Sequence, residues 1–158
     1  MRAVARNILC VVMLLATQVM AEEKSTNTNM EILKDKIRAD KKLLVADNLQ
    51  LTDKEAKGFW PIYDAYQKDL AKLNERLGKT ISAYAEAYNK DSLTDAQATQ
   101  LTSEVIAVEE SEAKLRRTYA GKLAKVLPGK KVARYLQIES KIRALVRFDL
   151  ASEIPLVE

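Results

Sequence analysis

The chain of 158 residues contains no histidine and only one cysteine. Without histidine it has no imidazole base, no Ser-His or Cys-His nucleophile pair, and no histidine ligand for zinc or iron. Glycine and proline are scarce, with four and three residues, whereas apolar residues make up 47% and charged residues 30%. This composition is typical of a folded helical protein and excludes a disordered, collagen-like or disulfide-stapled chain. The length suits one domain.

The first 21 residues have the pattern of a signal peptide. Arg2 and Arg6 precede an uncharged apolar run over residues 8–16, and the segment closes at Ala21 before two acidic residues. The run is shorter than the roughly 20 residues of a membrane span. We therefore expect export with cleavage after Ala21, an uncleaved amphipathic or anchoring helix being the alternative. Cleavage removes Cys10, so the mature chain would contain no disulfide.

The remaining sequence has the periodicity of long helices. Residues 22–29 are polar and aperiodic, which predicts a flexible leader before a single all-helical domain over residues 30–158. Apolar residues then recur at steps of three or four, and no stretch alternates with period two. The predicted helices run over about Met30–Asn48, from near Phe59 to Tyr88 with a bend at Pro61, over Leu101–Val126, and over Lys130–Ala151. The fold class is thus all-α, with long bent helices forming a helical hairpin or a four-helix assembly. Layers this thin favour a homodimer.

One hexapeptide pattern occurs twice, forty-two residues apart. In each copy a threonine can accept a hydrogen bond from the third helical N–H, and the Glu or Gln there reaches back to the threonine N–H. The leucine before each threonine can serve as a hydrophobic staple. The residues of these two predicted capping boxes are Leu51, Thr52, Glu55, Leu93, Thr94 and Gln97. Two helix starts are a sufficient explanation of the pattern.

The second copy, Leu93-Thr94-x-x-Gln97, resembles the LTxxQ motif of the Spy/CpxP family of bacterial periplasmic stress proteins. The first copy departs from the motif with Glu55, and residues 127–131, where such proteins often start their last helix, lack both Thr and Gln. The resemblance covers roughly residues 48–142. It implies a periplasmic protein whose hairpin protomers dimerise into a curved cradle and bind unfolded or misfolded polypeptides without ATP.

The resemblance also leaves a second function open. Such a protein can act as a non-enzymatic adaptor or inhibitor that binds the periplasmic domain of an envelope stress sensor. Either function is expected to need no cofactor.

Charge is distributed unevenly along the chain. Residues 22–112 carry a net charge of −5, whereas residues 113–158 carry +7. A surface that mixes cations with aromatic rings offers long-range attraction and non-specific apolar contact, although two ordinary solvated helix faces are the alternative. The candidate partner-binding residues are Arg116, Arg117, Tyr119, Lys130, Lys131, Arg134, Arg143 and Arg147. Most aromatic residues are expected in the core or in a dimer interface.

Other functional classes receive little support. Glu109, Glu110 and Glu112 could imitate a carboxylate pair, but the sequence offers no Glu-x-x-His partner for them, so we expect no enzyme and assign no catalytic, cofactor-binding or metal-binding residue. A weak carboxylate site for a hard cation stays open. Export sets aside a nucleic-acid partner, and no transmembrane segment is expected in the mature chain.

Overall fold

The computed structural model describes residues 41–157. The predicted signal peptide, the predicted leader and the predicted start of the first helix lie outside these residues. Residues 41–49 are helical (α1), and three helices follow: α2, Asp53–Asn89; α3, Asp95–Leu123; and α4, Gly129–Glu153. The described residues contain no strand, which confirms the all-α fold class. Residues from Leu49 onward form a compact unit of their own, called the bundle below.

Both capping boxes form at the helix starts. At α2, Glu55 N donates to Thr52 Oγ1 (3.3 Å) while Thr52 N donates to Glu55 Oε2 (2.8 Å). At α3, Gln97 N donates to Thr94 Oγ1 (3.3 Å) while Thr94 N donates to Gln97 Oε1 (3.0 Å). The first turn of α4 follows Pro128, which supplies no side-chain cap. The third position thus starts a helix without the Thr and Gln that a capping box needs.

The helix ends differ slightly from the predicted ones. The chain leaves α2 at Asp91, which has a left-handed φ of 48°, and this agrees with the predicted break. We predicted that the third helix reaches Val126, but α3 ends at Leu123. The next residues form a tight turn in which Val126 N donates to Leu123 O (3.0 Å). Turns with hydrogen bonds between residues three apart are common at helix termini. Apolar residues can therefore recur at a similar spacing beyond the end of the α-helix.

The three helices of the bundle alternate in direction. α2 and α3 run antiparallel, α3 and α4 run antiparallel, and α2 and α4 therefore run parallel. The contacts that fix these directions are Tyr66–Tyr119 and Arg76–Glu104 between α2 and α3, Glu55–Lys131 and Gln67–Glu139 between α2 and α4, and Glu112–Arg143 between α3 and α4. We call the end with the start of α2 and the α3–α4 turn the turn end, and the opposite end the tail end.

The core is densest toward the turn end, where aromatic rings from all three helices meet. Phe59 meets Tyr135 edge-on with ring centroids 5.2 Å apart, and Tyr66 meets Tyr119 at 5.3 Å. Each such pair contributes about 0.5–1.5 kcal/mol beyond its buried area. Beyond Tyr66 the apolar stripe of α2 is only half-buried, at Leu70, Leu73, Leu77 and Ile81. Packing thus loosens toward the tail end.

Candidate functional site

The first capping box also joins two helices. Lys131 Nζ donates to Glu55 Oε2 (2.6 Å) and to Gln50 O (2.9 Å), so the start of α4 is held against the start of α2. The hydrogen bond from Lys131, followed by that from the Thr52 backbone, lowers the pKa of Glu55 to about 2. A glutamine at this position would complete the cap and could accept a hydrogen bond from the ammonium group, but it could not form an ion pair with it. The departure from the LTxxQ motif thus has a structural use.

Four of the eight candidate partner-binding residues are engaged inside the bundle. Besides Lys131, the guanidinium of Arg143 donates to Glu112 (3.0 Å), and that of Arg147 donates to both Glu109 (2.7 Å) and Glu112 (3.0 Å). Tyr119 is only 4% exposed, and its hydroxyl donates to a carboxylate of α2 (2.8 Å). Our expectation that Tyr119 belongs to an exposed surface is therefore corrected. It lies on the buried stripe of α3, where a tyrosine ring packs while its hydroxyl finds a partner.

The other four candidates lie nearer the turn end. Arg117, Lys130 and Arg134 are exposed, and Arg116 is half-buried. Because α3 runs antiparallel to α4, the basic last turns of α3 lie beside the basic first turns of α4. Neither Arg117 nor Lys130 forms an ion pair with any residue that the structure describes. Positive charge is therefore concentrated there, and such a field attracts acidic partners over distance.

A shallow open groove runs between α3 and α4 in this basic region. It is lined by Ala113, Arg116, Arg117, Ala120, Leu136 and Ser140. Small residues form part of its lining, while two guanidinium groups and one hydroxyl supply hydrogen-bond donors. Arg116 Nε is buried and has no hydrogen-bond partner among the described residues. Leaving a buried donor unpaired costs about 1–3 kcal/mol.

The tail end carries a second feature, a set of large exposed apolar side chains. Leu145 is 68% exposed, Phe148 74%, Leu156 89% and Val157 61%. Leu145 and Phe148 lie one turn apart on the outer face of α4. The segment after α4 is held against α2, because the Tyr84 hydroxyl donates to the carbonyl of Pro155 (3.0 Å).

The periodicity that predicted a helix over Lys130–Ala151 did not predict that its apolar residues near the tail end are exposed. The signal was present, since Leu145-Val146 and Phe148 with Leu150 place apolar residues on more than one face of the helix. One face packs toward the bundle, and the other remains in solvent. Even Val146, on the inner side, is 45% exposed. This agrees with the loose packing of the tail end.

Two buried carboxylates lie deeper in the bundle, and both have partners. Glu139 is 3% exposed and accepts a hydrogen bond from Gln67 (2.9 Å), while Glu112 is held by the two arginines described above. Burial, and next the negative charge of Glu139, raise the pKa of Tyr135 far above its usual value. Both carboxylates are thus satisfied within the bundle, as buried polar groups usually are. Among residues 41–157, no group of three or more Asp, Glu, Cys or His could hold a metal ion.

Comparisons of the chain with models of known protein families, with curated proteins and with solved structures found no match. No helix within the described part of the chain is long and apolar enough to cross a membrane. The class of protein is therefore defined by fold and surface: an all-α protein whose three-helix unit has a basic groove and an exposed apolar end.

Proposed function

We propose that this chain is a periplasmic, ATP-independent, chaperone-like protein that binds unfolded or misfolded polypeptides. The observation that carries the proposal is the exposure of large apolar side chains at the tail end, with Phe148 at 74% and Leu156 at 89%. Burying one such side chain against a partner contributes about 1.5–3 kcal/mol, in a way that depends little on the sequence of the partner. A few such contacts give the weak, general affinity that unfolded chains require.

Positive charge is the second element of the proposal. The cations of the turn end attract acidic segments of polypeptides over distance, and the apolar end then makes short-range contact. The resemblance of Leu93-Thr94-x-x-Gln97 to the Spy/CpxP motif adds support for this function and for a periplasmic location. Mass spectrometry of the protein recovered from the periplasm tests the location, because cleavage is expected after Ala21.

The test compares aggregation in the presence of two variants with matched chemistry. Light scattering of heat-denatured citrate synthase should be suppressed by the purified protein at near-stoichiometric ratio without nucleotide. Leu145→Ser should weaken this suppression several-fold, whereas Leu43→Ser, which removes a side chain of similar exposure (63%) from α1, should not. Equal suppression by both variants, or none by the unmodified protein, would refute the proposal.

A homodimer is also proposed. The half-buried apolar stripe of α2 would gain from contact with a second copy, as expected for thin helical layers. Sedimentation equilibrium tests this, and a monomer at micromolar concentration would count against it.

A second candidate function is an adaptor or inhibitor that binds the periplasmic domain of an envelope stress sensor. The cations at the turn end favour it, because they suit one acidic protein surface. An adaptor would leave citrate synthase aggregation unchanged and bind the sensor domain with strong salt dependence.

A further inference from the structure

We infer that the groove between α3 and α4 binds an acidic segment of a polypeptide, with a carboxylate side chain accepting from the guanidinium groups of Arg116 and Arg117 that line it. This inference deepens the proposed function of polypeptide binding and rests on it. Arg116 Nε is the one buried side-chain nitrogen or oxygen within residues 41–157 that has no hydrogen-bond partner. A carboxylate is the acceptor that best matches a guanidinium, because it can take two parallel N–H donors.

The rest of the groove fits the same ligand. Arg117 supplies a second cation, and Ser140 supplies a hydroxyl across the groove from α4. The small side chains of Ala113 and Ala120 allow a peptide backbone to approach the helices closely. Leu136 offers an apolar contact for a neighbouring side chain of the peptide. The ligand class is therefore a peptide in which Asp or Glu alternates with apolar residues.

Charge in the bundle favours this occupant as well. Two other arginines of α4, Arg143 and Arg147, are already bound to Glu109 and Glu112. Within the groove, neither Arg116 nor Arg117 forms an ion pair with any residue that the structure describes, so both guanidinium groups can take an incoming carboxylate. Two adjacent guanidinium groups beside a small-residue lining thus make the groove a suitable site for a carboxylate.

The experiment measures binding of a fluorescein-labelled peptide with three Leu-Ser-Glu-Ser repeats by anisotropy. The same peptide with Gln in place of Glu is the ligand control, and its affinity should be at least about tenfold lower, as expected on losing charge-assisted hydrogen bonds. Arg116→Met keeps the stem but removes the donors, and it should cause a similar loss. Ala113→Phe should also abolish binding, because it fills the groove at an exposed position without changing charge.

Lys125→Met is the matched protein control. It removes one exposed cation from the same end but outside the groove, and binding should stay within about threefold of the unmodified value. Thermal unfolding by circular dichroism checks that each variant is folded. If Arg116→Met fails to fold, Ala113→Phe still tests the groove.

Several outcomes would overturn the inference. These are absence of peptide binding, equal affinity for the Gln peptide, unchanged binding by Ala113→Phe, or an equal loss with Lys125→Met. If vesicles of anionic lipid displace the peptide and the groove variants do not change peptide binding, the partner is a membrane surface and the inference is overturned. Peptide binding without suppression of aggregation would refute the chaperone function but support the inferred peptide site in the groove. The failure of one proposal can therefore be distinguished from the failure of the other.

Discussion

Two glycines of α2 allow the packing of the turn end to be tested with one kind of substitution. A Cβ atom built at Gly58 would lie 3.0 Å from Val126 Cβ and 3.1 Å from Val126 Cγ1. A Cβ atom built at Gly78 would meet no side-chain atom, and no backbone atom outside its own helical turn, within 4 Å. Both residues lie inside the same helix, so alanine changes the helix propensity equally at the two sites.

The expected stabilities have opposite signs. In a helix interior, replacing Gly with Ala stabilises by about 1 kcal/mol, and Gly78→Ala should show this gain in the free energy of unfolding. At Gly58 the same gain is opposed by overpacking against a β-branched side chain, which costs about 1–3 kcal/mol. Gly58→Ala should therefore lower the free energy of unfolding by about 1 kcal/mol. The two variants should differ by about 1–3 kcal/mol.

Urea unfolding followed by far-UV circular dichroism measures both changes, provided that the m-values agree. The double variant Gly58→Ala, Val126→Gly removes the crowded atoms, so in that background the alanine should become neutral or stabilising. Equal stabilisation by the two single variants would refute the close approach of the α3–α4 turn to α2. It would also remove the support for the position of the groove, because the same turn carries α3 into α4.

Two further predictions concern the helix starts. Thr94→Ala should lower the free energy of unfolding by about 1 kcal/mol and leave suppression of aggregation unchanged, and a loss of activity at equal stability would show that the motif is functional. Because the folded-state pKa of Glu55 lies near 2 and its usual value near 4.5, its pair with Lys131 stabilises above about pH 4.5 and loses this contribution as pH falls toward 2. Lys131→Met should therefore lower the melting temperature more at pH 7 than at pH 2.5, and an equal drop at both would contradict the assigned pair.

Local rules allowed much of the fold to be predicted. The capping boxes depend on four adjacent residues each, and the break near Asp91 depends on turn-forming residues, so both can be read along the chain. The end of α3 at Leu123 could not be predicted in this way, because the apolar pattern continues into the turn that follows. Periodicity also shows which face of a helix is buried, but it does not show which other helix packs against that face. The role of Tyr119 depends on α2 lying opposite, which no local pattern records.

The same limit applies to the charged residues. Residues 22–112 carry a net charge of −5 and residues 113–158 carry +7, but the sequence does not show which of these charges meet. The antiparallel course of α3 and α4 brings Glu109 and Glu112, from the acidic part, against Arg143 and Arg147. These cations are thus used within the bundle. The positive charge that remains is concentrated at the turn end, and only the direction of α3 could have located it.

The uneven packing of the bundle makes the proposed function physically coherent. The aromatic cluster and the Lys131–Glu55 pair hold the turn end, where the groove needs a fixed spacing between α3 and α4. Each large apolar side chain left in solvent forgoes about 1.5–3 kcal/mol of burial free energy. At the tail end, Phe148 is 74% and Leu156 89% exposed. A protein can tolerate that loss only if the rest of its core supplies enough stability. In the function proposed above, the dense end with its charged groove would recognise acidic groups at a fixed spacing, and the loosely packed apolar end would make adaptable contact with unfolded chains.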